Sequence, residues 1–332
     1  MKLSVLDQSF IRDDSTAVVA LQETLQVARH CEALGYHRFW VSEHHDTALL
    51  AGSSPEVLLA AIGAATRRIR IGSGGIMLPH YSPYKVAENF SVLANLYPGR
   101  VDLGVGRAPG ADMATAIALA TDGRPKFERF PELVEQLTHY LWSANTKPRL
   151  SPPPPEAIPV WMLGSSADSA MLAAALGLPY NVALFINPQL DPRLLTLYRQ
   201  RFQASAHLAK PKTMLALTVL CAETEARARQ LEQAMDVNFI RFITQGGSAR
   251  LVSPDEAQRY VFTPEQAQYV ARMASARAVG TPDQVRSQLK ALAERFAVDE
   301  LMVVTNCYHF EERLRSFELL AQVWPLGETS DA

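Results

Sequence analysis

Short apolar runs alternate with stretches of helical periodicity along most of this chain. Leu3–Leu6 reads as a first strand. Between Thr16 and Leu34 the apolar residues Val18, Leu21, Leu25, Ala28 and Cys31 recur three or four positions apart, as on one face of a helix, and Gly35 supplies a stop. His37–Ser42 is a second strand. Pro55–Thr66 is a helix, with Ser53 or Ser54 as cap and proline in its first turn. Ile69–Ser73, Lys85–Leu96 and Val101–Val105 continue as strand, helix, strand. The rhythm resumes at Pro159–Leu163 (strand), Asp168–Leu176 (helix), Asn181–Phe185 (strand) and Pro192–Ala206 (helix). Lys212–Cys221 and Glu223–Phe242 form the next strand and helix, and Pro282–Phe296, Glu300–Thr305 and Phe310–Val323 close the chain as helix, strand, helix. About eight strand–helix units in succession predict a parallel sheet with helices outside. That number favours a single closed (β/α)8 TIM barrel over residues 1–332, with an open doubly wound sheet as the alternative.

Two segments break the rhythm. Residues 143–158 contain Pro148 and the run Pro152–Pro155, which predicts extended chain crossing the surface. Residues 246–277 are too long for a simple connection. Pro254 and Pro264 can each start a short helix there, and the insertion is expected to act as a lid or a dimerisation element.

Composition narrows the function classes. With 48% hydrophobic residues the 332-residue chain can bury a large core. Lys+Arg number 32 against 34 Asp+Glu, with no basic run, which argues against nucleic acid and anionic membrane surfaces as partners. Asp7 breaks the N-terminal apolar run too early for a signal-peptide core, and no apolar run approaches the roughly 18 residues of a membrane span. Cys31, Cys221 and Cys307 are scattered and odd in number, which predicts a cytoplasmic setting and no disulfide or zinc framework.

Candidate chemistry gathers at strand ends. The strand His37–Ser42 runs into Glu43-His44-His45-Asp46, and a strand ending at a barrel mouth displays catalytic groups. Alternation puts Trp40, Ser42 and His44 on one face and Val41, Glu43 and His45 on the other. His44 is therefore expected in the mouth, with His45 on the helix side or bound to Asp46. The alternatives are a structural histidine pair, or a metal site with His80 that lacks the usual ligand spacing. Gly72-Ser73-Gly74-Gly75 ends the third strand, where glycine permits a flat ligand to approach closely or marks a bulge. Gly104-Val105-Gly106-Arg107 ends the fourth. Arg107 suits a phosphate, or a pair with Asp112. Gly164-Ser165-Ser166-Ala167-Asp168-Ser169 opens a helix, either as a phosphate seat or as plain capping. None of these segments carries a dinucleotide fingerprint. A phosphorylated cofactor without one points toward FMN or a deazaflavin.

These residues carry a likeness. Trp40-Val41-Ser42-Glu43-His44-His45, Gly72-Ser73-Gly74-Gly75-Ile76-Met77-Leu78-Pro79, the stretch Tyr97–Gly110 including Pro109, Pro159–Ser166, Glu300–Val304 and Arg315–Ala321 follow one another as they do in one family. The chain resembles the bacterial luciferase-like flavin-dependent monooxygenases. The resemblance implies a barrel that is usually a homodimer, reduced FMN from a separate flavin reductase, and O2 captured as a flavin C4a-hydroperoxide. The substrate would be a small aldehyde- or ketone-like molecule. His44 matches the catalytic acid/base, and Arg107 the phosphate arginine. Gly164, Ser165, Ser166 and Ser169 match the phosphate-binding helix start, and Gly74–Gly75 a cis peptide beside the isoalloxazine. Gly106 joins the cofactor set and stands where light-emitting members carry cysteine, which argues against bioluminescence. Phe10 and His80-Tyr81 depart from the family pattern near the mouth. The competing readings are an F420-dependent reductase or dehydrogenase on the same barrel, and a flavin-binding protein without catalysis.

Overall fold

The computed structural model describes residues 1–326 apart from 109 and 121, so Pro109 of the Tyr97–Gly110 motif lies outside the described residues. Its first half alternates as β1 (Lys2–Asp7), α1 (Ala17–Leu34), β2 (Arg38–Val41), α2 (Pro55–Ala65), β3 (Arg70–Met77), α3 (Pro83–Leu96) and β4 (Val101–Gly106). Thr16 caps α1 by accepting from the Val19 N–H, and Gly35 ends it at φ 91°, a left-handed conformation that suits glycine. Then come α4 (Met113–Leu119), α5 (Phe130–Trp142), β5 (Val160–Leu163), α6 (Ala167–Ala175), β6 (Tyr180–Ala183), α7 (Arg193–Arg201) and β7 (Thr213–Cys221). The chain continues through α8 (Glu225–Gln245), α9 (Pro254–Ala257), α10 (Pro264–Ala274), β8 (Arg277–Gly280), α11 (Pro282–Phe296), β9 (Glu300–Val304) and α12 (Phe310–Val323).

Strands β1 to β7 and β9 close into an eight-stranded parallel barrel, with β6 pairing β7 and β9 pairing both β7 and β1. Strand β8 lies outside this ring, bonded to the far end of β7 through Thr218–Cys221. Trp40 points inward with Leu6, Trp161, Met214, Ala216 and Met302, while Phe39 and Val41 pack outward against the helices. The barrel floor is ionic. Arg38 donates to Asp102 at 2.6 Å and to Glu300 at 2.7 Å, all three side chains being buried. Burial pushes the Asp102 carboxyl up, but Arg38 and Arg70 outweigh it and hold it down to about 2. Charges paired this well at the N-terminal end of the strands serve the scaffold.

The structure differs from the sequence expectations in several places. Strand β3 does not end at Ser73 but runs through Gly74 and Gly75 to Met77, with a register shift against β4 between Ser73 and Ile76. Helix α5, absent from the sequence reading, supplies the helix after β4. Its buried Phe130, Leu133, Val134, Leu137 and Leu141 form a regular stripe, and Pro131 starts the helix rather than breaking it. Arg277, assigned to the late insertion, is the first residue of the unforeseen β8. Helix α7 stops at Arg201, short of Ala206.

Within 143–158 the proline run lies along α3, where Ser91 Oγ donates to the Pro152 carbonyl at 2.6 Å. In the late insertion Pro254 and Pro264 do start helices. Leu251 there bridges to Arg12, and the Asp13 N–H donates to the Leu251 carbonyl at 2.9 Å, so the insertion closes over the loop after β1. Among the described residues no helix is long and apolar enough to cross a membrane.

Candidate active site

The end of β2 separates its side chains by alternation. Trp40 faces the barrel axis, and the same face carries Ser42 and then His44. Ser42 Oγ lies 3.1 Å from His44 Nδ1, which leaves Nε2 as the ring nitrogen open to a ligand. The His44 backbone N–H donates to the Gly52 carbonyl at 3.0 Å. Burial pushes the imidazole down to about 4, against the opposing charge of Glu43, so it is neutral at physiological pH.

Glu43 turns the other way and is 1% exposed. Its carboxylate accepts from Tyr81 Oη at 2.6 Å, the Met77 N–H at 2.9 Å and His45 Nε2 at 2.8 Å. His45 therefore binds Glu43 and not Asp46, because the pleat places both on the outer face. Its backbone N–H donates to the Gly110 carbonyl at 3.1 Å. Glu43 thus ties the end of β2 to the end of β3. Among the described residues no group of three or more His, Cys, Asp or Glu could hold a metal ion, which removes the reading through His44, His45 and His80.

The other expected residues lie on the rim over β3 to β5. The Gly74–Gly75 peptide is cis. A Cβ on Gly74 would lie 2.8 Å from Leu6 Cδ1, and one on Gly75 would lie 2.4 Å from Leu163 Cδ1 and 2.8 Å from the Gly104 carbonyl. The Gly104 backbone therefore demands glycine at Gly75, whereas a side chain at Gly74 would have to displace the end of Leu6 and crowd Trp40. A Cβ on Gly106 would meet nothing nearer than Met77 Sδ at 3.8 Å. Arg107 is exposed and makes no hydrogen bond or ion pair among the described residues. Asp112 is not its partner. It caps α4, accepting from the Thr115 N–H at 2.8 Å.

Beside Arg107, Val105 of β4 is in register with Met162 of β5, so Arg107 and Gly164 leave the sheet at adjacent points. Ser166 and Ser169 form a reciprocal capping box at the start of α6, and Ser169 Oγ also meets Tyr180 Oη at 2.9 Å. Capping therefore occupies these two hydroxyls. Ser165 is half-buried beside them, and the box leaves the N–H groups of Ala167 and Asp168 unused.

A cavity of about 380 Å³ opens on the other arc of the mouth. Phe10, Leu49, Leu50, Phe185 and Val304 line it from the barrel side, and one face of α8 lines it from outside. His44 is the sole residue of the expected site to reach it. Gly74, Gly75, Gly106, Arg107, Gly164, Ser165, Ser166 and Ser169 do not. Sequence reading missed this wall. Its signal was legible in Leu231, Met235, Phe239 and Phe242, an apolar stripe at three- and four-residue spacing on α8.

Known proteins share both the sequence and this architecture. A family model described as luciferase-like monooxygenase matches residues 1–300. The chain belongs to the luciferase-like monooxygenases. YwcH of Bacillus subtilis (strain 168) is 44% identical over 331 residues, covering 98% of this chain and 99% of that one. The N-acetyl-S-alkylcysteine monooxygenase of the same organism is 35% identical, covering 97% of each. The solved structure of apo-MsnO8 matches with a TM-score of 0.90 and 38% identity over 98% of each chain. Two more distant structures share the fold. The oxygenating constituent of 3,6-diketocamphane monooxygenase from Pseudomonas putida, in complex with FMN, matches with a TM-score of 0.72 at 18% identity, over 97% of this chain and 98% of that one. An F420-dependent secondary alcohol dehydrogenase matches with a TM-score of 0.68 at 15% identity, over 98% of this chain and 99% of that one.

Proposed function

We propose that this member of the family is an FMN-dependent monooxygenase that uses reduced FMN and O2 to oxidise a small aldehyde- or ketone-like substrate. The observation that carries the reading is His44, a neutral imidazole set between the rim over β3 to β5 and an apolar cavity. The rim residues fit a flavin phosphate. Arg107 is an unspent guanidinium beside the first N–H groups of α6, and Gly106 leaves open space next to it. Bound reduced FMN would supply the two electrons that activate O2. His44 would take and return a proton at Nε2, held by Ser42 at Nδ1. Phe10, Leu49, Leu50 and Phe185 would keep water from the reacting atoms. A separate reductase, a homodimer and a cytoplasmic setting belong to the same proposal and rest on the family likeness.

The test is an anaerobic titration with reduced FMN and reduced F420, followed by oxygen uptake with a panel of aldehydes and ketones. Tight reduced-FMN binding and substrate-dependent oxygen uptake are expected. Arg107→Ala should weaken reduced FMN by about 1.5–3 kcal/mol while leaving the melting temperature in place, because the side chain is exposed and unpaired. Binding of F420 in preference to FMN, with no oxygen uptake, would replace this reading with the reductase or dehydrogenase.

A further inference from the structure

The cavity wall beyond His44 carries polar groups that the acid–base role does not use. Around the ring the strands run β2, β1, β9, β7, and in that order His44, Gln8, Asn306 and Thr218 reach the cavity. Thr218 pairs in register with Val304, which packs with Leu6 in the inner cluster of the barrel. Gln8 and Asn306 follow Leu6 and Val304 by two residues and continue that face into the cavity. All three side chains are half-buried, and none makes a hydrogen bond among the described residues. Thr218 Oγ1 can donate and accept. Gln8 offers an Oε1 acceptor and an Nε2 donor, and Asn306, whose Oδ1 is sealed, turns its Nδ2 donor to the cavity. Other polar groups there are occupied. Asn238 is closed by both the N–H and the carbonyl of Val252, and Tyr308 Oη donates to Asp13 at 2.6 Å.

Charge and hydration narrow what these groups can hold. Arg277 is the one Lys or Arg among the lining residues, and it is spent on Asp236 at 2.5 Å and Glu232 at 2.9 Å. No cation is left over for a carboxylate or a phosphate, and an unpaired anion is costly in an apolar wall. Half-buried polar groups of this kind are satisfied by water until a ligand displaces it. Water donates and accepts at once. A displacing group that can only accept leaves an acceptor such as Gln8 Oε1 unmatched and loses affinity, whereas one that also donates replaces like with like.

We infer that the substrate carries a second, uncharged polar group of the hydroxyl or amide kind, which both donates and accepts, and that Gln8, Thr218 and Asn306 hold it away from the atom that reacts at His44. The three residues thereby select bifunctional molecules over plain aldehydes and ketones, and they fix which end of the molecule meets the imidazole. This deepens the proposed function and rests on reading this cavity as the substrate site.

Calorimetric binding to the flavin-free protein tests it with one matched series: methyl hexyl ketone, and three analogues that carry a hydroxyl, a methoxy or a carboxylate group at the far end of the chain. The flexible chain lets that end find the wall. The hydroxyketone is expected to bind about tenfold or more tighter than each of the others. Thr218→Val keeps the branched shape and removes only the hydroxyl, and Gln8→Leu removes the amide. Each should cut the hydroxyketone's advantage and leave methyl hexyl ketone unchanged. If either variant does not fold, the wild-type series still decides. A methoxy- or carboxylate-bearing ketone that binds as tightly as the hydroxyketone, or an advantage that survives both substitutions, would overturn the inference. None of these measurements involves flavin. Failure of oxygen uptake would therefore sink the catalytic reading and leave the binding preference standing, while equal binding across the series with oxygen uptake intact would sink the preference alone.

Discussion

At the scale of single residues, His44 and His45 show how a pleat assigns chemistry. Adjacent imidazoles with the same ordinary pKa end in opposite surroundings, one against the cavity and one on the Glu43 carboxylate. Burial lowers His44 to about 4, and it lowers His37 near the barrel floor to about 4 as well. The sign follows from linkage. Both groups bind protons more weakly folded than unfolded, so their stability contribution is intact above the ordinary value of 6.5 and is lost as pH falls toward 4. Denaturant unfolding at a series of pH values should show roughly 1–3 kcal/mol lost per histidine across that window. An NMR titration of the His44 ring, assigned through His44→Ala, should give its midpoint near 4. A midpoint at the ordinary value would mean the imidazole is solvated and the wall around it open. His44→Ala should lower turnover about 10²–10⁴-fold and spare reduced-FMN affinity. Full activity in that variant would remove the residue from the mechanism.

At the scale of elements, the roof of the cavity is made where two distant segments meet. The loop after β1 and the late insertion share backbone hydrogen bonds at Asp13 and Leu251, and Tyr308 after β9 reaches the same loop through Asp13. Tyr308→Phe removes that hydroxyl contact and little else. Amide exchange is expected to quicken at Ile11, Asp13 and Leu251, with the rest of the barrel unchanged. Unaltered exchange at those amides would show that the backbone bridge holds alone. Elements were legible in the sequence wherever a stripe was uninterrupted. Helices α1, α11 and α12 lie where the sequence places them, although the buried face of α1 runs through Ala20, Thr24, Val27, Ala28 and Cys31 and leaves Val18 exposed, and the two helices of the insertion start at Pro254 and Pro264 as those prolines suggest. Helix α5 was hidden by Pro131, which looks like a breaker until its place in the first turn is known. Strand β8 was hidden by its length of four residues, too short to show a period. The rim residues were legible as types, but their engagement was not. Nothing in the sequence says that Ser166 and Ser169 would satisfy each other, or that Asp112 would leave Arg107 free.

Across the whole molecule, titratable groups that do no chemistry are sealed by the same core that carries the barrel. The three thiols, Cys31, Cys221 and Cys307, are all buried. Burial pushes Cys31 well above its ordinary value and Cys221 and Cys307 up to about 12. A disulfide-exchange reagent at mildly alkaline pH should therefore react with the folded protein about 10³-fold more slowly than with a free thiol. Unfolding in guanidinium should release all three. A fast thiol in the native state would mean that the cavity beside Cys307 is wider than described. The outlying strand β8 has a different consequence. It anchors the return of a single stretch, residues 231–277, that supplies half of the residues lining the cavity, while the loops over β3 to β5 come from a separate part of the chain. If the cavity takes the substrate and the rim over β3 to β5 the flavin, as proposed, substrate choice and cofactor grip are written in different passages of the sequence. On that reading, relatives could trade one passage, by recombination or by a splice at the bench, and gain a new substrate while keeping the proposed flavin site intact.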